Sequence, residues 1–378
     1  MSAPRVFFYV QHLLGIGHLA RASRIAAALA DDGFDVTVVT GGLPVPGFPG
    51  EGVRSVELPA VLAASAGFKG LADRDGKETD KAFLENRRDL LLRAFEEARP
   101  DVVIIEAFPF GRRQMRFELL PLLGAIEAAD PRPKLLTSVR DILQQQKKPG
   151  RDEETVALLK AHFDGVLVHG DPTFVRLEET FPPTAEIADR ISYTGLVAAP
   201  PPPPAAEKFD IVVSAGGGAV GRELISASLD AARLMPGSLN WCLVSGPNLP
   251  EGDFSALEAD APANVRLVRF RKDFPSLLGA AELSISQAGY NTVCDLMRAG
   301  CRSLLVPFTT GGETEQAVRA SRLERLGLAT ALPESGLTSV MLADAAQASL
   351  AHPKPRIQGL DLDGARKTAE LIRGMLRQ

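Results

Sequence analysis

His18 follows Gly15-Ile16-Gly17 and precedes Leu19-Ala20-Arg21, so a glycine turn opens a run with helical spacing. At a helix N-terminus the dipole lowers the pKa of an imidazole and keeps it neutral, able to take a proton from an attacking hydroxyl. Capping the first helical turn is the commoner use of a histidine at such a place. Glu106 ends the apolar run Val102-Val103-Ile104-Ile105 and precedes Ala107-Phe108-Pro109-Phe110-Gly111-Arg112-Arg113. A carboxylate at the end of a buried strand is an alternative general base, the group that orients His18, or simply the partner of a nearby arginine. Arg140, Asp141 and Asp171 also fall at predicted strand ends, the last after His169-Gly170, and are candidates for the acceptor side.

The second half of the chain carries a different chemistry. Ser214-Ala215-Gly216-Gly217-Gly218-Ala219-Val220-Gly221 contains G-x-G-x-x-G. Glycines let the backbone approach a diphosphate, and a following helix start favours its charge. A dinucleotide-binding unit would also want an acid at the end of the next strand. That strand ends Val244-Ser245-Gly246-Pro247, which disfavours a dehydrogenase. A tight strand-to-helix turn is the plain alternative. In Ser286-Gln287-Ala288-Gly289-Tyr290-Asn291-Thr292-Val293-Cys294-Asp295, the small Gly289 permits close approach of a ligand. Asp295 either accepts both ribose hydroxyls of a nucleotide or completes a capping box with Thr292. The loop from Pro307 to Gln316 offers hydroxyl, carboxylate and amide groups, as a polyhydroxylated sugar requires; a helix start capped by Thr314 competes with that reading. Asp361-Leu362-Asp363 spells a metal-binding D-x-D near the tail, away from any strand edge, and reads as incidental.

The elements that would position these groups alternate as strand, glycine turn, helix and strand. Val6 to Val10, the helical pattern Leu19, Ala22, Ile25, Ala26, Leu29, the stop at Gly33 and the run Val36 to Val39 form a βαβ signature. Strands are predicted at 101–105, 135–139, 165–168 and 191–194, with helices over 80–98 and 153–162. Pro200 to Pro204 is a stiff extended segment and the clearest boundary in the chain. The pattern restarts with strands at 210–214, 241–244, 265–268, 283–286 and 303–306, and an amphipathic last helix over about 363–376. The expected fold is α/β, with two doubly wound, Rossmann-like domains whose parallel strand ends face one cleft, where ligands bind. The expected domains are 1–199, supplying acceptor site and base, a Pro-rich linker 200–207, a nucleotide-sugar domain 208–360, and a C-terminal helix 361–378 crossing back to the first domain.

Composition narrows the partners. With 378 residues, 45% apolar and 24% charged, net charge −5 and no basic block, the chain is globular and calls for no nucleic acid. Cys242, Cys294 and Cys301 read as buried thiols in a reducing compartment. Neither a signal peptide nor a membrane-spanning run is apparent, so a cytoplasmic protein is expected. Leu62 to Leu71 is small and apolar; a plain surface loop is the simplest reading, peripheral contact with the inner membrane face or a lipid acceptor the alternative.

Residues 268–329 resemble the C-terminal donor-binding region of glycosyltransferase family 28, whose best-known member is the lipid-linked N-acetylglucosaminyltransferase of peptidoglycan synthesis. The shared pattern is Ser286, Gly289, Thr292, Asp295, Ala299-Gly300, Val306 to Phe308, Gln316 and Leu326-Gly327. The whole chain resembles a bacterial group of predicted glycosyltransferases. The resemblance implies the GT-B architecture and a ribose-binding role for Asp295, where the family usually has Glu. It implies a sugar-contacting pair at Glu315-Gln316, where the family often has Gln-Gln, and a loop bracketing the base at 270–274. The expected donor site therefore comprises Gly17, Gly216, Gly217, Gly218, Phe270, Arg271, Ser286, Gly289, Asn291, Thr292, Asp295, Glu315 and Gln316. It implies an inverting, metal-independent transfer from a nucleoside diphosphate sugar, most commonly a UDP-sugar, to a carbohydrate or lipid-linked acceptor, without a cofactor. Gly17-His18-x-x-Arg21 equally resembles the nucleotide-sugar hydrolase of pseudaminic acid synthesis, so hydrolysis on the same scaffold is the alternative.

Overall fold

The computed structural model describes residues 3–13, 17–45, 47–63, 70–144, 148–216, 221–246 and 248–377. The chain divides into two compact units, Met1–Val197 with Asp363–Gln378, and Ala198–Leu362.

In the first unit the strands are β1 (Arg5–Val10), β2 (Asp35–Thr40), β3 (Arg54–Glu57), the short pair β4 (Leu62–Ala63) and β5 (Leu71–Ala72), β6 (Val102–Glu106), β7 (Lys134–Arg140), β8 (Gly165–His169) and β9 (Ile191–Tyr193). Seven of them form one sheet in the order β3-β2-β1-β6-β7-β8-β9, every pairing parallel. Parallel strands are covered on both faces and so read as continuous apolar runs rather than alternating ones; Val6 to Val10 and Val102 to Glu106 are buried throughout. Helices α1 (Gly17–Asp31), α2 (Lys81–Ala98), α3 (Arg116–Ala128) and α4 (Arg151–His162) provide the cover. α1 buries Leu19, Ala22, Ile25, Ala26 and Leu29, the apolar set its spacing predicts.

The second unit holds β10 (Ile211–Ser214), β11 (Trp241–Val244), β12 (Val265–Val268), β13 (Leu283–Ser286), β14 (Ser303–Leu305) and β15 (Thr330–Ala331). Their order is β12-β11-β10-β13-β14-β15, again with every pairing parallel. Helices α5 (Arg222–Leu234), α6 (Glu251–Ala259), α7 (Phe274–Ala280), α8 (Tyr290–Ala299), α9 (Glu315–Arg325) and α10 (Ser339–Ala351) belong to it. The last helix, α11 (Gly364–Met375), returns to the first unit and packs on α1, with Arg373 Nε 2.7 Å from Asp32 Oδ2. Gly364 is required at its start: a Cβ there would lie 2.4 Å from the Gly195 carbonyl oxygen.

Each sheet reverses its strand order once, between β1 and β6 and between β10 and β13. In doubly wound sheets such reversals open a crevice at the carboxyl ends of the strands, where ligands bind. Beside the first reversal lies a buried ion pair that the sequence did not announce. Arg87 Nε donates to Glu118 at 2.7 Å, and its other nitrogens reach Gln11 Oε1 at 2.6 Å and the Gly41 carbonyl at 3.0 Å. Gly41 and Gly42 are glycines because a Cβ at either would strike the Arg87 guanidinium or the His12 ring. Leu62 to Leu71 is bounded by the antiparallel β4–β5 pair with Leu71 buried; residues 64–69 lie outside the described residues.

Candidate active site

At the first reversal, α1 begins at Gly17 and brings His18 to the end of β6. His18 Nδ1 is 2.9 Å from Glu106 Oε1, and Arg21, one helical turn on, donates to the same oxygen. The second carboxylate oxygen, Oε2, accepts from Ser138 Oγ at 2.6 Å. Glu106 is fully buried, and three donors converge on it. Burial alone would raise a carboxyl pKa, but the Arg21 guanidinium, with His18 and Ser138, holds Glu106 well below the ordinary range and ionised. His18 is pushed down to about 3, chiefly by burial and then by the nearby Arg112 charge, with Glu106 opposing. The ring is therefore neutral at neutral pH. An ionised carboxylate only accepts, so Nδ1 carries the proton and Nε2 is left as the basic atom. Sequence reasoning left orientation, base and arginine partner open for Glu106; the geometry gives it both the first role and the third.

His18, Arg21, Glu106, Arg112 and Arg140 line a cavity of about 200 Å³ in this unit. Three guanidiniums and one carboxylate thus face it, a positive balance beside a neutral imidazole. Arg112 is held by a 2.9 Å bond from Nε to the Gln11 carbonyl and sits in a left-handed backbone conformation, φ 58°. Ala107, just past Glu106, is also left-handed at φ 65°; non-glycine residues adopt this region at a cost and concentrate near functional sites. Of the acceptor-side candidates only Arg140 lines the cavity. Asp141 Oδ1 accepts the Ile142 N–H at 2.8 Å, and Asp171 Oδ1 binds the Thr173 N–H and hydroxyl at 2.8 and 2.6 Å, which gives both carboxylates local turn-forming work.

The second reversal is built differently. Gly216 follows β10 with φ +74°, a conformation that favours glycine. Gly217 and Gly218 lie outside the described residues, as do Gly15 and Ile16 of the first-unit turn. After β13 comes Gln287, only 5% exposed, whose Nε2 has no hydrogen-bond partner among the described residues. Its Oε1 would be 3.1 Å from a Cβ at Gly216, so the two turns are adjacent. Helix α8 starts at Tyr290 with Gly289 as its N-cap, no side chain caps it, and a Cβ on Gly289 would meet nothing within 4 Å. Thr292 and Asp295 consequently lie inside the helix, which removes the capping-box alternative. Asp295 is 8% exposed. Ser286 Oγ pairs with Ser284 Oγ at 2.7 Å inside the sheet. Gln316 Oε1 accepts the Ala288 and Phe308 N–H groups at 3.0 and 3.1 Å, tying the β13 and β14 turns together. Glu315 forms a buried ion pair with Arg319 at 2.6 Å, and Thr314 is the N-cap of α9 without a side-chain cap bond. Phe270 is 62% exposed, whereas the Arg271 guanidinium is taken up by Asp273 at 2.8 and 2.7 Å and by Glu207 at 2.7 Å. No group of three or more metal-binding side chains occurs among the described residues, and no helix there is long and apolar enough to cross a membrane.

Comparison with known proteins fits this division. Residues 211–362 match the glycosyltransferase family 28 C-terminal domain. A UDP-N-acetylglucosamine--N-acetylmuramyl-(pentapeptide) pyrophosphoryl-undecaprenol N-acetylglucosamine transferase of Gloeobacter violaceus is 31% identical over 33% of this chain and 38% of its own length. The chain thus spans well under two thirds of that relative. The protein of the same name from Burkholderia cenocepacia is 26% identical over 71% of this chain and 70% of its own. Among solved structures, the calicheamicin glycosyltransferase CalG4 aligns over 100% of this chain and 99% of its own at TM-score 0.67 and 18% identity. Acinetobacter baumannii MurG aligns over 98% and 100% at TM-score 0.62, also 18% identical. The chain has the GT-B glycosyltransferase fold, and its second unit matches the glycosyltransferase family 28 C-terminal domain.

Proposed function

We propose that this protein is an inverting glycosyltransferase that takes its sugar from a nucleoside diphosphate donor, a UDP-sugar. The observation that carries the reading is the His18–Glu106 pair at the strand-order reversal of the first unit, on a chain whose second unit matches the family 28 C-terminal domain. The relatives are named for transfer from UDP-N-acetylglucosamine to an undecaprenol-linked acceptor, which supports that donor class and a lipid-linked acceptor bound peripherally at a membrane. The positive wall formed by Arg112 and Arg140 also favours an acceptor with a negative group near its reacting hydroxyl.

In the proposed reaction the acceptor hydroxyl attacks the anomeric carbon from the face opposite the leaving nucleotide. His18 Nε2 accepts its proton, and the ionised Glu106 stabilises the imidazolium that forms. The departing diphosphate is stabilised by backbone N–H groups near Gly216 and the start of α8, electrostatic help that needs no metal. Asp295 holds the ribose, Gln316 the sugar, and Phe270 flanks the base. Two carboxylates already occupy the Arg271 guanidinium and Arg319 already occupies the Glu315 carboxylate, so neither is assigned a direct donor contact.

Calorimetric titration with UDP and UDP-N-acetylglucosamine tests the donor assignment, and product analysis tests the reaction. Binding of UDP with no release of free sugar in the absence of acceptor is expected. Rapid stoichiometric sugar release would make the protein a hydrolase; failure to bind any nucleotide sugar would remove the reading altogether.

A further inference from the structure

Beyond the His18–Glu106 pair, hydrogen bonds continue across the sheet through the ends of four successive strands. Glu106 and Ser138 are register partners on β6 and β7. Ser138 Oγ is 2.6 Å from Glu106 Oε2 and 2.9 Å from His169 Nε2, at the end of β8. His169 Nδ1 is 2.8 Å from Thr194 Oγ1, just after β9. Ser138, His169 and Thr194 are all fully buried, away from the cavity lining.

The proton on every link follows from the chemistry of its neighbour. Ionised Glu106 has no proton to give, so Ser138 donates to it. Having used its single proton, Ser138 can only accept from His169, which must carry hydrogen on Nε2. His169 Nδ1 is then an acceptor, and Thr194 donates to it at 2.8 Å in preference to the Gly195 carbonyl at 3.0 Å, since two facing lone pairs would repel. His18, on the other side of the carboxylate, must carry hydrogen on Nδ1. The two histidines are locked into opposite tautomers by one carboxylate.

The geometry points to Ser138 and His169 as positioning residues that act through Glu106 to hold His18 in the Nδ1–H tautomer, with Nε2 bare. This rests on the reading of His18 as the proton acceptor but makes a statement about the ring that stands without turnover. Burial also pushes His169 down to about 3, with the Arg21 charge adding to the effect, in keeping with a neutral ring.

The test is long-range 1H–15N correlation on the full chain labelled with 15N-histidine, between pH 6 and 8. The five histidines can be assigned by single His→Gln substitutions. His18 is expected as Nδ1–H and His169 as Nε2–H, both neutral across the range. Ser138→Ala should mix the tautomers of His169 and move the His18 Nδ1 proton downfield, because the carboxylate then has one donor fewer; Ser138→Thr should restore both signals. Should Ser138→Ala fail to fold, Thr194→Val serves instead, with the His169 Nδ1 signal expected to shift to that of an unbonded acceptor. His169 found as Nδ1–H would overturn the proposal, as would a Ser138→Ala spectrum in which His18 does not move or a Thr194→Val spectrum in which His169 does not. Full turnover in His18→Ala would instead remove the base assignment and leave the tautomer result standing.

Discussion

The two sheets share one strand order, yet the groups at their reversals are opposites. Between β1 and β6 sits a buried charge with three donors on it, and its partner imidazole has a fixed proton. Between β10 and β13 sit a left-handed glycine, an open helix start and a buried amide whose N–H has no acceptor. A group that must move a proton needs its surroundings prepared, because reorganising them during reaction costs energy. A group that only holds a ligand can leave its donors for the ligand to satisfy, and the cost of keeping them unsatisfied is regained on binding. On this view the Glu106 carboxylate already has its donors, and the Gln287 amide still lacks its acceptor.

Acid should separate the two most strongly. His18 and His169 both have folded pKa values near 3, far below the ordinary 6.5. Between those limits the unfolded chain binds protons that the folded chain refuses. Stability from these two rings is therefore present above about pH 6.5 and is lost as pH falls toward 3. Each ring contributes a slope of about 1.4 kcal/mol per pH unit at most. Hydrogen exchange at pH 7 and pH 5 should show protection lost from β6, β7 and β8 well before β10 and β13. Equal loss in both units would break the comparison at its base.

Removing the central charge comes next. Glu106→Ala removes the carboxylate that faces Arg21, itself only 2% exposed. Breaking one side of a buried pair costs about 3–5 kcal/mol, which a shift in urea midpoint would measure. Glu106→Gln should be milder in stability yet still lose roughly 10²–10⁴ in turnover, as general-base catalysis fails without the correct tautomer. In the second unit, Asp295→Ala should leave stability within about 1 kcal/mol and weaken UDP roughly 10- to 100-fold, the worth of hydrogen bonds to a charged group. Unchanged UDP affinity on calorimetry would count against the ribose assignment.

Much of this layout was legible in the residues. Apolar runs ending at Glu106 and Arg140 gave two strand ends, since a buried parallel strand has to stop where polar groups begin, and the glycines before His18 and Tyr290 gave two helix starts. What escaped was whatever depends on register between strands. Nothing in the sequence ties Ser138 to Glu106, 32 residues away, until β6 and β7 pair. Likewise Gly41 and Gly42 are dictated from a distance by Arg87 and His12, which no local pattern shows. Other partners lie close in sequence. Asp273, two residues after Arg271, was a ready partner for it, and Thr173 after Asp171 spelled a local turn. Gln287 lies one residue after Ser286, and its unsatisfied donor becomes visible only once its neighbours are placed.

That amide offers the smallest and most discriminating test. Gln287 Nε2 is buried with no acceptor among the described residues, an arrangement that costs about 1–3 kcal/mol. Gln287→Leu keeps comparable bulk and removes the donor, so the free protein should be as stable or slightly more stable by thermal melt. If the amide awaits a phosphate or sugar oxygen at the turn after Gly216, the same substitution should weaken UDP-sugar binding roughly tenfold. The two measurements must then move in opposite directions. Applied to Ser138 at the other reversal, where the network is already satisfied, the equivalent removal should lower stability outright. A Gln287→Leu protein that loses both stability and affinity would mean that the amide serves the fold after all, and the contrast between a finished site and a waiting one would not hold.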